Sequence, residues 1–165
     1  MTGAVRRAVN SDIPEIIDLL GEVLRVHNAA RPDLFKPSGS KYSEKELTEI
    51  INDDERPVFV YADDSGKILG HCFCIVEDRP ETGACRAVKT VYIDDLCVAA
   101  EARRRHVGKA LYEFVKAFAR DIGAYNITLH AWQGNAGAIE FYRRLGLSVQ
   151  QYTLEEVLGR NEDDI

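Results

Sequence analysis

Apolar residues recur along the chain at two spacings, and each spacing predicts its own kind of element. Ile13, Ile16, Ile17, Leu20, Val23 and Leu24 fall at helical spacing, which predicts an amphipathic helix over 12–28. Ser11 and Asp12 offer it an N-cap, and Pro14 is tolerated in a first turn. Leu111, Phe114, Val115, Phe118 and Ala119 form a second stripe, on a helix over 107–122 that Gly123 ends. Ser43 followed by Glu46 is a capping box that opens a short helix to Asn52. Asn135 can cap a helix over 136–145, which Gly146 stops.

Runs rich in β-formers fill the space between the helices. Residues 3–9 read as a first strand. Pro57–Ala62 and Ile68–Val76 read as a hairpin around the turn Asp63-Asp64-Ser65-Gly66. Lys89–Val98, Asn126–Trp132 and Leu147–Val157 complete the strand candidates, with irregular segments at 29–42 and 77–87. The order βααβββαβαβ predicts a single α/β (α+β) domain over 1–165, a mixed central sheet with helices packed on both faces.

Composition narrows the classes of function. A chain of 165 residues suits one core. Its apolar runs fall far short of the roughly 20 residues of a bilayer span, so no membrane association is expected. Met1–Asn10 lacks the apolar stretch of a secretory signal, and the cytoplasm is the expected location. A net charge of −6 argues against general nucleic-acid binding and suits cationic substrates. Cys72, Cys74, Cys85 and Cys97 complete no His/Cys ligand set, so buried reduced thiols and no metal are expected.

The most informative stretch runs from Tyr92-Ile93-Asp94-Asp95-Leu96-Cys97-Val98 to Arg103-Arg104-Arg105-His106-Val107-Gly108-Lys109. A strand feeds a polar loop, and the loop feeds a helix. A helix start presents unpaired N–H groups and the positive end of its dipole, a ready anion site. Arg103, Arg104, Arg105 and Lys109 stand beside it, and Gly108 lets a ligand approach the backbone. That chemistry points to a pyrophosphate-bearing ligand.

This strand, loop and helix resemble motif A of the GNAT acetyltransferases, whose signature is Q/R-x-x-G-x-G/A. Arg103 takes the Q/R position and Gly108 the closing one, while His106 stands where the family usually has its first glycine. Trp132-Gln133-Gly134-Asn135, followed by Ala138–Leu147 with Phe141-Tyr142, is similar to motif B. The strand Tyr92–Val98, with its acidic pair, also resembles that of spermidine/spermine acetyltransferases. The resemblance implies an acetyl-CoA-dependent N-acetyltransferase acting on an amine, and it allows a homodimer. It implies a cosubstrate site at Leu96, Cys97, Val98, Arg103, Arg104, Arg105, His106, Val107, Gly108 and Lys109, with Asn135 and Tyr142 holding the pantetheine arm and thiol end. A catalytically weak acyl-CoA-binding regulatory module is the alternative.

Catalytic roles follow from the chemistry and the resemblance together. An alkyl ammonium must lose a proton before it attacks a thioester. Strict alternation puts Tyr92, Asp94, Leu96 and Val98 on one strand face, and Ile93, Asp95 and Cys97 on the other. Asp94 is the expected base, acting through water, because it matches the carboxylate of the polyamine branch; Asp95 is the fallback. Tyr142 is the expected acid toward the CoA sulfur, and the Val98 N–H would hold the thioester carbonyl. Cys97 has no activating neighbour in sequence, which favours direct attack over an acyl-enzyme. His71 and His130 are expected to be structural or pocket-lining, and Trp132 to be core. Glu77, Asp78 and Glu81 form an acidic cluster after the hairpin. The acceptor pocket falls to residues 25–42 and 150–160, and the acceptor stays open among polyamines, peptidyl amines, amino acids and aminoglycosides.

Overall fold

In a computed structural model that describes residues 3–159, the strands stack in sequence order. They are β1 (Gly3–Arg7), β2 (Val58–Asp63), β3 (Ile68–Arg79), β4 (Val88–Val98) and β5 (Asn126–Leu129). The first four are antiparallel neighbours, and β5 lies parallel to β4. A parallel pair needs a crossover, which α3 (Val107–Asp121) supplies. The other helices are α1 (Ile13–Ala30), α2 (Glu44–Ile51) and α4 (Ala136–Arg144).

Register shows which helix covers which face, because directly paired residues point the same way. Gly70 pairs with Val98, and Cys72 with both Phe59 and Leu96. α3 covers that face: Phe59 packs on Phe114 and Phe118, and a Cβ on Gly70 would crowd Leu111 and Val107 at 3.1 Å. His71 pairs with Cys97 on the opposite face, where Cys97 Sγ donates to the carbonyl of Leu19 on α1. Two apolar layers thus enclose the sheet, with Ile16, Leu20 and Leu47 on one side and Leu111 and Val115 on the other fully buried.

Several expected elements change length, for physical reasons. β3 runs on to Arg79, so Glu77 and Asp78 sit in a strand and pair with Thr90 and Lys89 rather than forming a loop cluster. An ion pair between Lys89 and Asp78 accompanies that pairing. β5 stops at Leu129, where its pairing with β4 ends. The strand expected over Leu147–Val157 does not form, and Val149, Tyr152, Leu154, Val157 and Leu158 are exposed. Its apolar positions change phase at Gln150-Gln151, so no single strand face collects them. Asp12 does not cap α1 with its side chain; it takes a two-pronged bond from Arg6 at 2.7 and 2.9 Å and one from the Val9 N–H.

Candidate active site

An extra residue in β4 shapes the site. Phe73 lies opposite Asp95 and Cys74 opposite Ile93, so Asp94 has no partner across the strand pair. This is a β-bulge, and it shifts the two-residue side-chain period by one. The strict alternation expected for Tyr92–Val98 is therefore corrected. Tyr92, opposite Ile75, shares the face of Asp95, while Ile93 joins Leu96 and Val98. Both aspartates reach the α1–α2 side. Asp94 Oδ2 accepts from the Tyr42 hydroxyl at 2.7 Å and from Lys41 Nζ at 2.8 Å. Tyr42 itself stacks on Phe73. Asp95 Oδ2 lies 2.6 Å from Nε2 of His71, a side chain with no exposed surface.

The bulge coincides with the end of β5. β5 pairs with β4 only from Thr90 to Ile93, so beyond Ile93 the edge from Asp94 to Val98 faces no strand. Alternate backbone N–H and C=O groups of that edge are left for another partner. The start of α3 adjoins this gap. His106 is its N-cap at φ 64°, ψ 8°, and no side chain caps the helix. Arg104 also has φ 64°. Turns that alternate in this way gather backbone N–H groups into an anion-binding hollow. A histidine and an arginine thus hold left-handed positions that glycine would take without strain, each at a cost of about 1–2 kcal/mol. Arg103, Arg104, Arg105, His106 and Lys109 are all exposed there, and Arg103 lies 3.9 Å from Glu22. Gly108 has a reason inside the protein: a Cβ there would lie 3.2 Å from the Phe141 ring and 3.4 Å from Val98. Its bare backbone lets α4 close against α3.

Electrostatics separate the candidate groups. Burial, with the charge of Asp95 among its neighbours, pushes the Tyr142 hydroxyl well above its ordinary range, so it stays protonated. Cys97 is pushed up to about 12 by burial and by Asp95, which leaves its thiol a poor nucleophile. Cys72 is also raised, by its contact with Cys74 and by burial. Asn135 accepts from the Ala138 N–H at 3.1 Å and so caps α4. His130 bonds the Tyr92 hydroxyl at 3.2 Å.

A second wall comes from residues that carried no readable motif. Arg31 sits over the Trp132 ring at 5.5 Å and bonds both Asp33 and Glu155. Phe35 meets Trp132 edge-on at 5.6 Å and His27 at 4.9 Å. Segments 25–42 and 150–160, expected to share the acceptor pocket, therefore meet through Arg31 and Glu155. Trp132 is 38% exposed and not core, because it stands past the end of β5 on this wall. Only tertiary contact reveals Arg31, Phe35 and Tyr42, since none lies at a telling spacing from the rest.

A mixed five-stranded sheet, whose parallel edge strand stops short beside an uncapped helix start, defines an acyltransferase-like α/β fold. The chain belongs to the acetyltransferase (GNAT) family, whose model matches residues 23–147. It is 26% identical over 109 residues to the probable N-acetyltransferase san of Drosophila melanogaster, covering 66% of this chain and 55% of that protein. The chain thus spans about half the length of that curated relative. A tetramutant of the BH1408 protein from Bacillus halodurans superposes with a TM-score of 0.90 at 26% identity, over 93% of this chain and 99% of that one. Glucosamine-6-phosphate N-acetyltransferase from Arabidopsis thaliana superposes with a TM-score of 0.70 at 20% identity, over 96% of this chain and all of that one, a likeness of fold. No helix among the described residues is long and apolar enough to cross a membrane.

Proposed function

We propose that the chain transfers the acetyl group of acetyl-CoA to a primary amine by direct attack in a ternary complex. The early end of β5 carries this reading: it leaves a β4 backbone edge without a strand partner between the uncapped start of α3 and an acidic pair on the α1–α2 side. The pyrophosphate would lie on the N–H groups from Arg104 to Lys109, flanked by Arg103, Arg104, Arg105 and Lys109. The pantetheine would run along Leu96–Val98 toward Asn135 and Tyr142, with the Val98 N–H on the thioester carbonyl.

The amine enters from the other side. Asp94 already holds Lys41 and Tyr42, a grip that fixes the segment before α2 and places a cation beside that carboxylate. Asp95 is buried and lies within range of Tyr142. We therefore give Asp95 the ammonium proton and Asp94 the shaping of the acceptor side. The free amine attacks the thioester carbon, the C–S bond breaks, and Tyr142 gives its proton to the sulfur. Cys97, raised by burial, stays out of the covalent chemistry. A small polyamine or a peptidyl amine fits this acidic approach, and the Arabidopsis neighbour is named for an amino sugar. We also propose a cytoplasmic setting and a homodimer. The open edge of β5 and the exposed Val149–Leu158 stretch are the surfaces that two copies would exchange.

Calorimetric titration with acetyl-CoA tests the anion site. Wild type is expected to bind, with affinity falling as salt rises. Arg104→Gln is expected to bind more weakly and with a flatter salt dependence. Unchanged binding in Arg104→Gln and in Lys109→Gln would move the pyrophosphate elsewhere.

A further inference from the structure

His71 is a costly residue for its place. It sits in β3 with no exposed surface, on the face opposite that of Cys72. Its Nε2 meets Asp95 at 2.6 Å, and its Nδ1 has no hydrogen-bond partner. The Phe73 ring stands edge-on to it at 5.0 Å. A buried ring nitrogen left unsatisfied costs about 1–3 kcal/mol, and an apolar side chain would avoid that cost.

The identity of the partner matters. Asp12 is another buried carboxylate, and it pairs with a permanent cation, Arg6. Burial works against its charge, but the bonds from Arg6 and the Val9 N–H outweigh that and hold its carboxyl below the ordinary range. A carboxylate so held is a weak proton acceptor. An imidazole N–H at Nε2 makes a different partner: it donates one bond to Oδ2 and fixes that oxygen. Uptake of a proton on Oδ1 of Asp95 leaves the Nε2–H···Oδ2 bond intact, so nothing must rearrange. Alternation back from Cys97, the residue opposite His71, puts Asp95 on this face beside His71, in the strand that also carries Leu96–Val98.

We propose that His71 is a positioning residue for acetyl transfer: its Nε2–H holds Oδ2 of Asp95 so that Oδ1 meets the acceptor ammonium. The role rests on the acetyltransferase reading. In the step it serves, the N–H bond of the ammonium breaks and an O–H bond forms on Asp95. The freed nitrogen pair then forms the C–N bond, the C–S pair leaves with sulfur, and the Tyr142 proton caps the thiolate. The acylated nitrogen gives its second proton to the Tyr142 phenolate, and Asp95 loses its proton to solvent after product leaves, a net release of one proton.

The other titratable groups around Asp95 are His27 on α1, Tyr42 before α2, Cys72 on β3, Cys97 on β4 and Tyr142 on α4, with the Lys41–Asp94 pair beside them. Burial and nearby charge push both thiols and both phenols up, away from the acid range. His27 is pushed down by burial, so it is the one group of these to control for. The test compares His71→Gln, whose amide offers a neutral N–H near the Nε2 position, with His71→Leu, which offers none. Steady-state kinetics across pH, acetyl-CoA calorimetry and melting curves are run on both. His71→Leu is expected to lose about 10²-fold in kcat, the cost of a misplaced reacting group. Its acid limb in kcat/KM should move to higher pH, since an unbonded buried carboxylate favours its neutral form. His71→Gln should recover most of kcat and restore the limb, and His27→Gln should leave the limb in place. Equal losses in the Gln and Leu variants, or an unmoved limb in His71→Leu, would overturn the role. A wild type that binds no acetyl-CoA would instead remove the acetyltransferase reading itself.

Discussion

Tyr142 carries a hydroxyl that burial keeps protonated, and it stands on α4 within range of Asp95. Tyr142→Phe removes that proton donor and keeps the ring. Its single-turnover rate should fall by about 10²-fold, the low end for general acids, because a thiolate leaves fairly well unaided. Acetyl-CoA affinity and melting temperature should not change. Rapid-quench measurement checks this, and a wild-type rate would exclude the residue from the chemistry. Asp12 is tested through stability. Its carboxyl is held below its ordinary range in the fold, so the stabilisation exists above the unfolded pKa, near 4. That stabilisation disappears as pH falls through the folded value. Asp12→Asn should cost about 1 kcal/mol at pH 7, a figure kept low because Arg6 is half-exposed. The gap in melting temperature from wild type should close as pH falls below the ordinary carboxylate range.

At the scale of elements, the turn from Arg103 to Gly108 makes the sharpest test. His106 holds φ 64°, a conformation that glycine adopts freely and β-branched residues almost never do. His106→Gly should keep acetyl-CoA binding and hold or slightly raise the melting temperature. His106→Val should distort the hollow and weaken binding at least tenfold, a contrast that calorimetry resolves. This turn was legible in the sequence, since a helix stripe, a basic loop and Gly108 all lie close along the chain. The five paired strands and four helices were legible too, from periodicity and capping. The bulge at Asp94 was not, because Tyr92–Val98 reads as an unbroken alternation and only the register against Phe73 and Cys74 shows the extra residue. That one displacement decides which face Tyr92 and Ile93 take. The wall of Arg31, Phe35 and Trp132 was hidden for a related reason. Its members meet only once α1 and the chain beyond β5 are packed.

At the scale of the molecule, one end remains apolar and open. β5 is an edge strand, and the segment after α4 exposes Tyr152 and Leu154 at 81% and 91%. If two copies cover this end, sedimentation velocity should show a dimer, and Leu154→Asp should shift it to monomer without loss of fold. A monomeric wild type at micromolar concentration would contradict the exchange. The proposed arrangement, donor at the β4 edge beyond β5 and acceptor on the α1–α2 side, has one direct test. Purified protein is mixed with acetyl-CoA and a panel of primary amines, polyamines and lysyl peptides included, and released CoA thiol is followed alongside mass analysis of the amine. The account predicts that at least one amine speeds thiol release and gains an acetyl group in equal amount. Acetyl-CoA that binds but is turned over by no amine would contradict it.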